Sequence, residues 1–134
     1  MSNSKFLLDT SAILTFLEDE AGAERVEALL RSEEVVLPFL VLLEAFYITL
    51  QEQAEDVAEK RYALLKQLPV TYLWHVDEPT LLTAARYKAQ FRISLADAII
   101  AAFAVTQDTI LVHKDPELEA LATMVAQEVL PYKS

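Results

Sequence analysis

Apolar residues fall along this chain in blocks of two kinds. KFLLD, VVLP, VTYLWHV and TILV are short and largely apolar, β-branched or aromatic. Blocks of that length, ended by Asp, Pro or polar residues, predict strands, most of them buried on both faces. Between them lie longer stretches with helical spacing: TSAILTFLEDE, AGAERVEALLRSEE, FLVLLEAFYITLQEQ, EDVAEKRYALLKQL and EPTLLTAARYKAQF. Pro69 closes the fourth of these, and Pro79 sits in the first turn of the fifth. SLADAIIAAFAV, Ser94 to Val105, is apolar on nearly every side and predicts a buried helix. HKDPELEAL then predicts a turn into a short helix, and QEVLPY a fifth strand at an edge. Strands that alternate with helices predict an α/β fold, a parallel sheet of about five strands covered on both faces. No repeat or linker interrupts the pattern, so one domain over residues 1–134 is expected.

The departures from this pattern are acids. Asp97 stands in the all-apolar helix, where an unpaired buried carboxylate costs several kcal/mol or takes up a proton. Glu44 interrupts FLVLLEAFYI in the same way. Asp9 ends the first strand, and Asp115 lies three residues past Val112, the end of the fourth. Sites in open α/β sheets gather beyond the carboxyl ends of the strands, so these four acids are expected to meet over one sheet edge. Like charges that close need a cation, and ligands that are all oxygen favour Mg²⁺ or Mn²⁺ over zinc. Three of the acids also have a plainer reading: Asp9 and Asp115 are both placed to cap a following helix, the latter with Pro116 at its first position, and Glu44 reads as an exposed break in an amphipathic helix. Asp97 has no polar stripe to explain it. Glu18, Asp19, Glu20, Glu33, Glu34 and Glu55 fall in polar runs and read as solvated surface.

Composition narrows the chemistry. Gly22 is the only glycine, which excludes a glycine-rich phosphate loop, and with no cysteine there is no thiolate ligand or nucleophile. MSNSKFLLDTSAIL does not read as a signal peptide, and no apolar run approaches a membrane span, so a cytoplasmic location without membrane contact is expected. The net charge of −10 argues against nucleic acid, unless a bound divalent ion reverses the field locally.

LLDTSAIL, LLEAFY, ISLADAIIAAFA and ILVHKDPEL, in that order and spacing, resemble the PIN-domain nucleases, and within them the VapC-type toxins of toxin–antitoxin pairs. The resemblance implies an α/β/α sandwich, RNA cleavage dependent on Mg²⁺ or Mn²⁺, homodimers, and an antitoxin that blocks the site. Position by position, Asp9, Glu44 and Asp97 match the family's three acids and Asp115 its fourth. Thr10 and Ser11 match the hydroxyl residues after the first acid, one of which commonly supports the metal cluster. The chain departs from the family at His113, where Ser or Thr is usual, and before SLADA, where FRI replaces a turn on Gly.

Arg92, Lys114 and Arg86, with Lys88, are the cationic candidates for RNA phosphates, and His113 is a further one. His75 reads as structural, and Tyr72 and Trp74 as core. Rival readings are a PIN-fold interaction protein that cuts nothing and a housekeeping RNA-processing nuclease. The aspartate-nucleophile phosphatases need a second Asp where Ser11 stands, and the phosphoacceptor domains need a pair of acids that LLDTSA lacks.

Overall fold

The computed structural model describes residues 4–132. The chain runs β1 (Lys5–Leu8), α1 (Thr10–Leu17), α2 (Ala23–Ser32), β2 (Glu34–Pro38), α3 (Phe39–Glu52), α4 (Glu55–Leu65) and β3 (Thr71–Leu73). It continues through α5 (Glu78–Gln90), α6 (Leu95–Thr106), β4 (Ile110–His113), a 3₁₀ segment (Pro116–Leu121) and β5 (Gln127–Val129). The five strands form one parallel sheet in the order β3-β2-β1-β4-β5. Right-handed crossovers carry α1 to α4 over one face and α5 and α6 over the other, giving the expected α/β/α sandwich. The three central strands are buried along most of their length, as a sheet covered on both faces requires. The core they build, with Leu7, Leu8, Leu37 and Leu111 at its centre, continues into Ile100 and Phe103 of α6.

Strand order places the chain's switch point between β1 and β4, the neighbours whose following segments leave in opposite directions. That point, at the carboxyl edge of the sheet, is where open α/β folds place a crevice. Asp9 follows β1 directly, and its N–H still bonds the Val112 carbonyl of β4 at 3.2 Å.

One element is shorter than the apolar pattern predicts, and the short helix expected after β4 takes 3₁₀ form. VTYLWHV is a strand only over Thr71–Leu73, because its partner β2 ends at Pro38, level with Leu73. Pro38 has no N–H to extend the ladder, and the chain turns there into α3. Trp74 and His75 therefore leave the sheet and stand exposed, against the expectation of a core and a structural role. HKDPELEAL is a 3₁₀ segment from Pro116 onward rather than an α-helix. The turn before α6 needs no glycine: Phe91 ends α5 in an extended conformation, Ile93 is buried, and Lys88 Nζ donates to the Ile93 carbonyl at 3.0 Å. The single glycine serves elsewhere. Gly22 caps α2 at φ +105°, where a Cβ would also crowd Leu130 and Pro131 at 3.2 Å.

Candidate metal centre

Each acid reaches the crevice by a local rule. Asp9 is buried and caps α1, accepting from the Ala12 N–H at 2.8 Å and from Ser11 Oγ at 2.7 Å, both on Oδ1. Asp97 lies in the first turn of α6, where Ser94 Oγ accepts from its backbone N–H at 3.0 Å and the Ser94 hydroxyl also bonds its carboxylate. That location answers the puzzle of an acid in an apolar helix. The fully buried part of α6 begins after it, at Ala98, and Asp97 is only partly buried. Asp115 caps the 3₁₀ segment through the Glu117 N–H at 2.9 Å. Glu44 comes from α3 and is held by Thr10 Oγ1, which donates to its Oε1 at 2.6 Å. The capping roles of Asp9 and Asp115 thus coexist with their position at the crevice.

Electrostatics tie the four acids together. Burial pushes the Asp9 carboxyl up to about 7, outweighing the bonds from Ala12 and Ser11, and the charges of Asp97 and Asp115 add to the rise. Asp97 is also raised to about 7, first by burial, then by the charges of Asp115 and Glu44. Carboxyl oxygens of Asp97, Asp115 and Glu117 lie within 4.8 Å of one another. Asp9 and Glu44 flank that trio without joining it at this spacing. Glu117 is absent from the sequence expectations. Its only signal is its position two residues after Asp115, at the start of a turn that brings both carboxylates to one side.

The two hydroxyls differ in task. Thr10 orients Glu44, while Ser11 donates to Asp9 and accepts from the Lys114 N–H at 2.8 Å, stitching β4's exit to α1.

Two of the expected RNA contacts are corrected by burial. His113 is fully buried. Its Nδ1 accepts from the Asp115 N–H at 3.0 Å, so the ring proton sits on Nε2 and is donated to Gln127 Oε1 at 2.8 Å. Gln127 in turn donates to the Leu118 carbonyl at 2.7 Å. This chain of bonds fastens Asp115 to β5 and the 3₁₀ segment, a positioning role. The Lys114 side chain is 9% exposed and points its ammonium at Glu20, 3.8 Å away, so it is not presented to solvent for a phosphate. Glu20 is thereby partly buried, and not plain surface. Arg86 and Arg92 are exposed and remain open to an anionic ligand.

Replacing His113 with Ala is expected to destabilise the fold by about 2 kcal/mol, since it strands a buried N–H and the Gln127 amide. Misplacement of Asp115 should also lower any metal-dependent activity roughly 10- to 100-fold. His113→Asn, which restores an acceptor for the Asp115 N–H, should recover part of the activity. Thermal melts and rates at saturating Mn²⁺ check both. Equal activity in the Ala variant would remove His113 from the site.

No curated protein matches the chain. Solved structures do. VapBC2 of Rickettsia felis, bound to a DNA fragment from its promoter, aligns with a TM-score of 0.77 and 12% identity over 95% of this chain and 99% of that one. VapBC-1 of nontypeable Haemophilus influenzae aligns at 0.73 and 21% identity, over 93% and 97%. VapC20 of Mycobacterium tuberculosis, a sarcin–ricin-loop-cleaving toxin, aligns at 0.72 and 19%, over 94% and 99%. At such identities the likeness speaks for the fold. The family itself rests on the sequence. The PIN domain model matches residues 6–124, from β1 to just past the 3₁₀ segment, and spans all five acids of the crevice. By that match the chain belongs to the PIN-domain family.

Proposed function

We propose that this chain is a divalent-metal-dependent endoribonuclease, the toxin of a VapBC-type toxin–antitoxin pair. The observation that carries the reading is the convergence of Asp97, Asp115 and Glu117, whose carboxyl oxygens lie within 4.8 Å of one another, with Asp9 and Glu44 close enough for their charges to be felt there. A merely structural fold would gain stability by losing such a cluster.

The residues fit a hard divalent cation. The donors are all oxygen, three of them are mutually close, and two are raised to about 7, first by burial and then by neighbouring acid charges. Asp97 and Asp115 would hold Mg²⁺ or Mn²⁺, with Asp9, Glu44 and Glu117 beside them. When bound, such an ion supplies Lewis acidity, which acidifies water and offsets the negative charge gathering on a phosphate in its transition state. The chain's own part is placement. Thr10 and Ser11 hold the carboxylates of Glu44 and Asp9, Ser94 fixes the first turn of α6, and His113 fixes Asp115. Asp9 and Asp97 would have to give up their protons to hold a cation, so metal affinity is expected to rise with pH. The exposed Arg86 and Arg92 would meet the RNA backbone outside the acidic floor.

The fold shared with a sarcin–ricin-loop-cleaving toxin and with VapBC complexes supports an RNA substrate and a protein antitoxin. A homodimer belongs to the same proposal. Leu43 and Tyr47 on α3, and Leu81 and Leu82 on α5, leave apolar surface for protein partners. Among the described residues, no helix is long and apolar enough to cross a membrane.

The test is cleavage of a mixed RNA pool by partner-free protein. Cleavage is expected in Mn²⁺ or Mg²⁺ and not in EDTA. Cleavage that persists in EDTA would contradict the reading.

A further inference from the structure

The acidic floor of the crevice repels RNA, so a nuclease built on it needs a hold on the substrate elsewhere along the same edge. One feature of that edge is not used by the acid cluster. β1 and β2 pair Leu7 with Val36, which sets Asp9 level with Pro38, and Pro38 is level with Leu73. Trp74, the next residue, therefore emerges from the same carboxyl edge two strand spacings from Asp9, about 10 Å across the sheet. It is 46% exposed, a costly state for an indole that could have packed. Its ring lies nearly parallel to that of Tyr72, at 25° and 5.9 Å between centroids. Tyr72 is itself anchored, its hydroxyl donating to the Leu65 carbonyl at 2.5 Å. Lys66 Nζ sits 4.7 Å from both ring centroids, and the ion pairs among the described residues leave it out.

We infer that Trp74, backed by Tyr72 and flanked by Lys66, is a stacking platform for an unpaired base of the RNA substrate. This rests on the nuclease reading and adds to it the manner in which the substrate is held. An exposed aromatic face takes any base, because every base offers a π face, and a neighbouring ammonium serves the adjoining phosphate. A cation seated over one side of the ring pair and outside the ion pairs of the described residues, in a chain of net −10, suits a polyanion better than an apolar protein surface. The position sets the register: with a base stacked on Trp74, the strand beyond it runs along the edge toward the acids.

Trp74 is the only tryptophan, so intrinsic fluorescence reads this residue alone. Unlabelled single-stranded RNA would be titrated into Asp97→Asn protein, following tryptophan emission and, separately, retention on a filter. The expected result is quenching with the same midpoint as filter retention. Trp74→Ala, folded by circular dichroism, should bind about tenfold more weakly, and Trp74→Phe should keep most of the affinity. In the cleaving protein, Trp74→Ala should raise KM and leave kcat largely unchanged. Retention on the filter with unaltered emission, and equal affinity in Trp74→Ala, would overturn the platform and leave the nuclease reading intact. Emission that changes with protein concentration alone would assign Trp74 to a contact between copies and also overturn it. A wild-type protein that neither binds nor cuts RNA would end both proposals.

Discussion

Asp97→Asn is expected to lower metal-dependent RNA cleavage by about 10³-fold and, in the same protein, to raise the melting temperature measured in EDTA by a few degrees. Loss of a carboxylate that holds the cation removes several kcal/mol of transition-state stabilisation. The gain in stability has a separate origin. Near pH 7.5 the Asp97 charge is opposed by burial and by the charges of Asp115 and Glu44, and Asn relieves that opposition without changing shape. The helix start is kept, because Ser94 Oγ still caps the backbone N–H of residue 97, and Asn retains an oxygen to accept from the Ser94 hydroxyl. Opposite signs for the two effects separate this account from a structural one, in which activity and stability would fall together. Single-turnover rates and scanning calorimetry give the two numbers. A variant that cuts RNA at the normal rate would break the assignment.

The second large effect is on the ion-free protein, whose melting temperature should fall as pH rises from 5 to 8 and recover when a divalent ion is added. The cause is first Asp9, which burial moves from 3.8 to about 7. Between those values the folded chain keeps a proton that the unfolded chain has released. Stability therefore declines with rising pH, and the decline is complete above the folded value. Asp97 acts in the same direction over the same range. For the buried Asp9 the difference between pH 5 and pH 8 is on the order of 3 kcal/mol, which corresponds to roughly 10 °C in a chain of this size. Asp9→Asn should flatten the profile while still capping α1, since Asn keeps an acceptor for the Ala12 N–H. Melts at several pH values, with and without Mn²⁺, provide the check. A melting temperature that climbs over this range, as paired carboxylates would produce, contradicts the account.

Much of this was legible in the chain because the signals are local. Asp97 stands out against an apolar helix, and Asp9 and Asp115 follow strands that length and flanking residues make plain. The central strands, apolar at all but one end position each, declare a sheet covered on both faces. What escaped depends on pairing between distant segments. The end of β3 is decided by Pro38 in another strand, so nothing in VTYLWHV foretells that Trp74 and His75 leave the sheet. His113 reads as a strand-end histidine until Gln127 of β5 is brought beside it. Lys114 reads as a surface cation until Glu20 is seen to receive it. Glu117 is one of several glutamates in a polar turn, and only the geometry of the 3₁₀ segment sets it apart from Glu119. The bond from Thr10 to Glu44 joins residues 34 positions apart. In each case the missing information was tertiary, while the residue types had already named the chemistry.

The central claim, that the acids of the crevice form a divalent-cation site, is tested most directly by crystals of the protein grown with Mn²⁺ and measured for anomalous scattering. The account predicts a manganese peak between the carboxylates of Asp97 and Asp115, with Asp9 on the same side. A fully ordered crevice without a peak at saturating Mn²⁺, or a peak only at acids elsewhere on the surface, would contradict it.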